Sequence, residues 1–140
     1  MKKILILNGP NLNMLGRREP SIYGNKNFLD YYNQDLFGTC DCELSTYQSN
    51  NEGDLVTTIQ NSEGIYDGIV LNAGAYTHTS IAIRDAITSI NVPVVEVHIS
   101  NVFAREEFRH HSYISPVCKG TIVGLGLYGY KAAIDWLISH

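Results

Sequence analysis

The sequence predicts an α/β chain: a doubly wound, five-stranded parallel sheet flanked by helices on both faces. Three observations carry this. Short apolar runs alternate with amphipathic stretches of helix length along the 140 residues. The run Gly68-Ile69-Val70-Leu71-Asn72 is apolar without alternation, as a strand covered on both faces should be. No internal repeat, low-complexity segment or linker interrupts the pattern, so a single domain over residues 1–140 is expected.

Each element has a local reason. The first strand spans about Lys3 to Asn8, because Ile4-Leu5-Ile6-Leu7 ends at the breaker Asn8-Gly9-Pro10. A helix over about Asn27 to Phe37 would turn Leu29, Tyr32 and Leu36 inward at helical spacing. The second strand, about Glu43 to Gln48, alternates weakly, and the helix after it, about Gly53 to Glu63, aligns Leu55, Val56 and Ile59. The third strand is Gly68 to Asn72. Its helix, about Thr79 to Ile90, places Ile83, Ala86, Ile87 and Ile90 inward, with Thr79 or Thr77 as its cap. The fourth strand is Val94 to His98 and the fifth about Thr121 to Leu125. The closing helix, about Tyr128 to Ser139, would bury Ala132, Ala133, Trp136 and Leu137. Strands alternating with helices imply right-handed parallel crossovers, and five of them in this length make a flavodoxin-like sheet.

Composition narrows the function. Hydrophobic content of 44% with 17% charged residues is ordinary for a soluble globular chain. No apolar run approaches the roughly 20 residues that span a bilayer, so no membrane partner is expected. Met1-Lys2-Lys3 begins like a signal peptide, but the apolar run stops too soon for one, which places the chain in the cytoplasm. Cys40, Cys42 and Cys118 lack zinc spacing and are odd in number, which reads as reduced thiols. A net charge of −4 argues against nucleic acid. The arginines Arg17, Arg18, Arg84, Arg105 and Arg109 lie in or near motif-bearing segments, which suits a small anionic substrate. Ion pairing at the surface is the equal alternative for Arg17 and Arg84.

A doubly wound sheet binds ligands beyond the carboxyl ends of its strands. Here those ends carry Asn8 to Asn11, Gln48 to Asn51, Asn72 to His78, His98 to Asn101 and Gly124 to Gly126. The first turn holds neither G-x-G-x-x-G nor G-K-[ST], so the main nucleotide fingerprints are missing from it. It does hold Arg18 five residues before Tyr23. A phenol, ordinarily near pKa ~10, needs about 4 kcal/mol of help to act as a base near neutral pH. One cation about 4 Å away, at an effective dielectric of about 20, supplies roughly that. Spacing alone equally allows Tyr23 to pack over the next helix.

Glu96 and His98 lie two apart on a strand and share a face, so the carboxylate can orient the imidazole as a general acid, the alternative being a hydrogen-bonded structural pair at the strand end. His78 follows a glycine-containing turn, where it binds a hydroxyl or helps a cap. Arg105 and Arg109 fall at i, i+4 spacing, as an anion clamp or, with Glu106 and Glu107, as a charged turn.

Together these motifs resemble a known family. Asn8-Gly9-Pro10-Asn11-Leu12, Leu15-Gly16-Arg17-Arg18-Glu19-Pro20 with Tyr23-Gly24, Gln48-Ser49-Asn50, Asn72 to Ser80, Val95 to Asn101, Arg105 to Arg109 and His111-Ser112-Tyr113 stand in the order seen in type II 3-dehydroquinate dehydratases. The resemblance covers essentially the whole chain. It implies a lyase of the shikimate pathway that converts 3-dehydroquinate to 3-dehydroshikimate through an enolate, with no cofactor and no metal. It implies a homododecamer, a tetramer of trimers. By motif, Tyr23 would be the base, with Arg18 holding it basic. Asn11 would stabilise the enolate. His98 would protonate the departing hydroxyl, with support from Glu96. Asn72, His78 and Arg109 would place the substrate hydroxyls, and Ile99 and Ser100 would take its carboxylate. Asp85 would reach a neighbouring subunit's site. Arg17, Glu19 and Arg105 would be lid or secondary contacts, on a mobile lid from Arg18 to Tyr23. Two positions depart from the family pattern: Asn51 and Phe103 stand where histidine, or histidine or tyrosine, is frequent. Neither is expected to abolish activity. The rival expectation is a non-enzymatic flavin- or nucleotide-binding module on the same fold.

Overall fold

Side chains of a strand alternate between faces, and in this chain both faces are apolar. The computed structural model describes residues 1–17, 20–23 and 26–140, with only the backbone of Pro20 and Tyr23. Arg18 and Glu19 therefore lie outside the described residues, as does the side chain of Tyr23.

Five parallel strands, β1 (Lys2–Asn8), β2 (Cys42–Gln48), β3 (Gly68–Asn72), β4 (Val94–His98) and β5 (Gly120–Val123), form one sheet in the order β2-β1-β3-β4-β5. This is the flavodoxin-like order, with its direction of winding reversing beside β1. The helices are α1 (Pro20–Tyr23), α2 (Phe28–Tyr31), α3 (Glu52–Asn61), α4 (Ile81–Thr88) and α5 (Tyr128–Ser139). Ile4, Ile6, Val70, Val95 and Val97 pack on one face with Tyr130, Ala133, Ile134 and Leu137 of α5. Leu5, Leu7, Ile69, Leu71 and Val94 pack on the other with Leu55 and Ile59 of α3 and Ile83, Ala86 and Ile87 of α4. Each of the valine, leucine and isoleucine side chains among them contributes roughly 1.5–3 kcal/mol from its removal from water. Among the described residues no helix is long and apolar enough to cross a membrane.

Helix starts follow side-chain chemistry. Asn51 caps α3, its Oδ1 accepting the N–H of Gly53 at 2.8 Å and of Asp54 at 3.3 Å. One of the two departures from the family pattern thus has a structural task. The helix α4 begins later than the sequence suggests and is capped by Ser80, not Thr79 or Thr77. The Ser80 hydroxyl accepts the N–H of Ile83 at 2.9 Å.

Several expectations need correcting. The segment 27–37 is not a uniform α-helix: α2 passes into a π-turn over Tyr32–Leu36. The wider turn changes the inward set to Phe28, Tyr31 and Leu36 and leaves Leu29 exposed. In α5 the inward positions are Tyr130, Ala133, Ile134 and Leu137, while Trp136 is exposed and stacks on His140 at 4.4 Å. Cys40 and Cys42 are not reduced thiols but joined by a disulfide, and Cys118 is the free cysteine. The chain doubles back just before β2, leaving their Cα atoms 5.4 Å apart, within disulfide reach.

Candidate active site

The carboxyl ends of β1 and β3 are brought together by close backbone contact. The N–H of Gly9 donates to the carbonyl of Asn72 at 2.7 Å. A side chain at Gly9 would put a Cβ 2.4 Å from the carbonyl oxygen of Ala73, so only glycine fits there. Asn11 turns the chain with a left-handed φ of 67° and is held by its N–H donating to Asn50 Oδ1 at 2.9 Å. Gln48 and Tyr76 fix that contact: Gln48 Nε2 donates to Asn50 Oδ1 at 3.1 Å, and the Tyr76 hydroxyl donates to the Asn50 carbonyl at 2.8 Å.

These loops wall a pocket. Of the residues singled out in the sequence, Asn11, Asn72, His78, His98, Ile99, Ser100, Arg105 and Arg109 line it. Pro10, Leu12, Gly74, Ala75 and Val102 complete the wall. Glu96 stands behind His98 and does not line it. Asp85 is exposed on α4, away from this pocket. Arg17 is exposed and borders a neighbouring hollow with Met14, Phe28 and Tyr47. Neither Asn51 nor Phe103 lines the pocket.

Glu96 is fully buried on β4, on the face opposite α5. Its Oε2 accepts from His98 Nε2 and from Ser112 Oγ, the latter at 3.1 Å. Its Oε1 accepts from Ser115 Oγ and from Thr121 Oγ1, the latter at 3.2 Å. Burial pushes the carboxyl group up, but the bonds from His98, Ser115 and Ser112 outweigh it and hold the group below its ordinary value. Glu96 is therefore a carboxylate at neutral pH. It commits one ring nitrogen of His98, leaving Nδ1 as the nitrogen that can exchange a proton with a bound molecule.

His78 stacks beside His98 with ring centroids 6.3 Å apart. Burial pulls its pKa down, and His98 and Arg109 nearby act the same way, while the His111 carbonyl opposes them. A neutral His78 donates from Nδ1 to that carbonyl at 2.8 Å and keeps Nε2 as an acceptor. Asn72 is nearly spoken for. Its Oδ1 accepts the Gly74 N–H at 3.2 Å and its Nδ2 donates to the Tyr130 hydroxyl at 3.0 Å, leaving one amide N–H for the pocket.

Despite their i, i+4 spacing, Arg105 and Arg109 do not share an α-helix: the segment forms two 3-10 turns, Val102–Ala104 and Glu107–Arg109. The turns still deliver both guanidinium groups to the pocket wall. Arg105 Nη1 donates to Ser100 Oγ at 3.3 Å, and Arg109 Nε pairs with Glu106 at 3.1 Å. The segment is thus a charged turn, with Glu106 paired to Arg109, whose two arginines also line the pocket.

Sequence reasoning missed Ser115, Thr121 and Tyr130, and gave Ser112, which stands in a family motif, no role of its own. Thr121 had a signal, since it lies opposite Glu96 in the β4–β5 register. The serines sit in an irregular loop, where no periodicity marks them.

An anion-sized polar pocket at the strand ends of a flavodoxin-like sheet, with a carboxylate-backed histidine in its wall, defines an α/β enzyme of the acid–base kind. The chain belongs to the family Dehydroquinase class II, whose model matches residues 2–138. It is 57% identical over 143 residues to a 3-dehydroquinate dehydratase of Bacillus pumilus, covering 100% of this chain and 97% of the relative. It is 54% identical to a catabolic 3-dehydroquinase of Aspergillus oryzae, covering 96% of this chain and 89% of the relative. The crystal structure of a type II dehydroquinase from Butyrivibrio crossotus superposes with a TM-score of 0.94 at 52% identity, over 98% of this chain and 97% of that one. These relatives give no support to a flavin- or nucleotide-binding module.

Proposed function

We propose that the pocket dehydrates 3-dehydroquinate reversibly to 3-dehydroshikimate, as a hydro-lyase of the shikimate pathway. A base removes the proton next to the ketone, and the electron pair moves onto the ketone oxygen as an enolate. The enolate collapses, the carbon–oxygen bond two carbons away breaks, and the departing hydroxide takes a proton and leaves as water. Such a reaction needs a tuned base, a stabilised oxyanion and an acid.

The observation that carries this reading is the buried Glu96–His98 pair opening onto a pocket lined by two arginines, in a chain of this family. His98 is the acid and Glu96 its support. Tyr23, held basic by Arg18, is the base. Asn11 stabilises the enolate. Asn72, His78 and Arg109 place the hydroxyls: the acceptor on His78 and the spare amide N–H of Asn72 suit a ligand rich in hydroxyl groups. Ile99 and Ser100 receive the carboxylate, and Arg105, with Arg17 and Glu19, makes lid or secondary contacts. Asp85, exposed on α4, is available to a neighbouring subunit in a homododecamer built from trimers. No cofactor takes part in this scheme. Residues 1–140 form one catalytic domain, which the near full-length match to the family supports. The reading places the enzyme in the cytoplasm. The Cys40–Cys42 disulfide sits poorly with a reducing compartment, and thiol titration of protein from lysed cells under alkylating conditions decides that point.

The test mixes purified protein with 3-dehydroquinate and follows the ultraviolet band of the conjugated enone product. A band that grows in proportion to enzyme is expected. No band at millimolar substrate sinks the proposal.

A further inference from the structure

The carboxylate of Glu96 receives more hydrogen bonds than an ion pair with one histidine requires. Its donors besides His98 come from two separate places: Ser112 and Ser115 from the loop after β4, and Thr121 from β5. The direction of one of these bonds is set by its surroundings. Ser112 Oγ accepts the backbone N–H groups of Ile114 at 3.2 Å and Ser115 at 3.0 Å. A hydroxyl has two acceptor sites and one proton. With both acceptor sites taken, the proton of Ser112 points at Glu96 Oε2. The same oxygen faces His98 Nε2, so two donors converge on it. The other oxygen faces Ser115 and Thr121, whose hydroxyls are also 3.3 Å from each other.

The loop that carries the serines is itself pinned. The N–H of Tyr113 donates to the Thr77 carbonyl at 2.9 Å, and Arg84 Nη1 donates to the Tyr113 carbonyl at 3.3 Å. The loop is thereby tied to the same β3–α4 connection that delivers His78.

We infer that Ser112, Ser115 and Thr121 form a hydroxyl cage that fixes the rotation of the Glu96 carboxylate and so keeps His98 with Nε2–H toward Glu96 and Nδ1 toward the pocket. This rests on the assignment of His98 as the acid under the proposed function. In the step concerned, the imidazolium Nδ1–H bond breaks and its proton goes to the departing hydroxide, forming water. The ring is left neutral with its proton on Nε2, and Glu96 remains a carboxylate throughout. The three hydroxyls touch no substrate and are positioning residues.

The cage is tested with Ser112→Ala, Ser115→Ala, their double variant, and the pair Thr121→Val and Thr121→Ser. Each is measured for kcat and KM with 3-dehydroquinate and for the His98 Nε2–H proton by NMR without substrate. Loss of one charge-directed hydrogen bond should lower kcat about tenfold while KM moves less than about twofold. Thr121→Ser, which keeps the hydroxyl, should retain kcat, and Thr121→Val, which keeps the shape, should not. The Nε2–H resonance should be sharp in the wild type and broadened by exchange in the double variant. Unchanged kcat and an unchanged resonance in a folded double variant overturn the cage. If the loop variants do not fold, the Thr121 pair decides in the same way, equal rates for Val and Ser overturning it. If the resonance responds as expected but the wild type turns over no 3-dehydroquinate, the cage stands and the proposed function falls.

Discussion

Tyr130→Phe removes one oxygen from the floor of the site, and its cost can be worked out from the contacts. The Tyr130 hydroxyl is fully buried; it donates to Asn8 Oδ1 at 2.8 Å and accepts from Asn72 Nδ2 at 3.0 Å. Burial raises its pKa, so the group is a neutral hydroxyl and a true donor. Asn8 and Asn72 are register partners at the ends of β1 and β3, and both are nearly fully buried. Phenylalanine keeps the ring and its edge contact with Phe28 at 5.0 Å, so little packing is lost. What remains is a buried carbonyl and a buried amide N–H, each stripped of a partner. Each costs about 1–3 kcal/mol, so the sum is about 2–6 kcal/mol. In a chain of this length that lowers Tm by roughly 6–24 °C. Because Asn72 also lines the pocket, KM for 3-dehydroquinate should rise with the fold intact. Urea denaturation followed by circular dichroism measures the first effect and steady-state kinetics the second. A loss below about 0.5 kcal/mol, the range of a neutral surface change, would refute the claim that this hydroxyl holds the two asparagines.

Other outcomes follow from the same contacts. Glu96 has a folded-state pKa below its ordinary 4.5, so its stabilisation is present above that value and is lost as pH falls through the lower folded value. The urea midpoint of the wild type should therefore drop more steeply on acidification than that of Glu96→Gln; parallel curves would contradict it. Burial, with Glu96 nearby, pushes the Cys118 thiol up to about 12. Since the thiolate is the nucleophile, native protein should resist iodoacetamide at neutral pH and label Cys118 only on unfolding, and mass spectrometry showing prompt native labelling would refute this. Tyr23→Phe should abolish turnover while the circular dichroism spectrum stays that of the wild type. Near-normal turnover would remove Tyr23 as the base.

Much of this molecule is legible from residue order because its physics is periodic. The uninterrupted apolar run of β3 announces a strand covered on both sides, and it is buried throughout. The two-residue spacing of Glu96 and His98 puts them on one face whatever the neighbouring strands do, and they meet. Asn8 and Asn72 end their strands on the α5 face for the same reason, yet their shared partner is 58 residues beyond Asn72, and no local pattern points to Tyr130. Leu29 faces outward because the π-turn over Tyr32–Leu36 aligns Leu36 with Phe28 and Tyr31. Trp136 faces outward because α5 presents the regular set Tyr130, Ala133, Ile134 and Leu137 to the sheet, a rotation that apolar spacing alone does not fix in a helix apolar on more than one side. The cysteine pair escaped because its closure depends on how the chain doubles back before β2, not on spacing typical of a metal site. Ser112 and Ser115 belong to a loop held by backbone contacts with distant segments, which leave no signature in composition.

The central claim is that a carboxylate-backed His98 supplies the proton that lets water leave. The direct measurement is the initial rate of the enone band from saturating 3-dehydroquinate, for the wild type and for His98→Ala side by side. The account predicts steady growth of the band with the wild type and a rate at least about 10²-fold lower with the variant. Equal rates, or no band from the wild type, would contradict it.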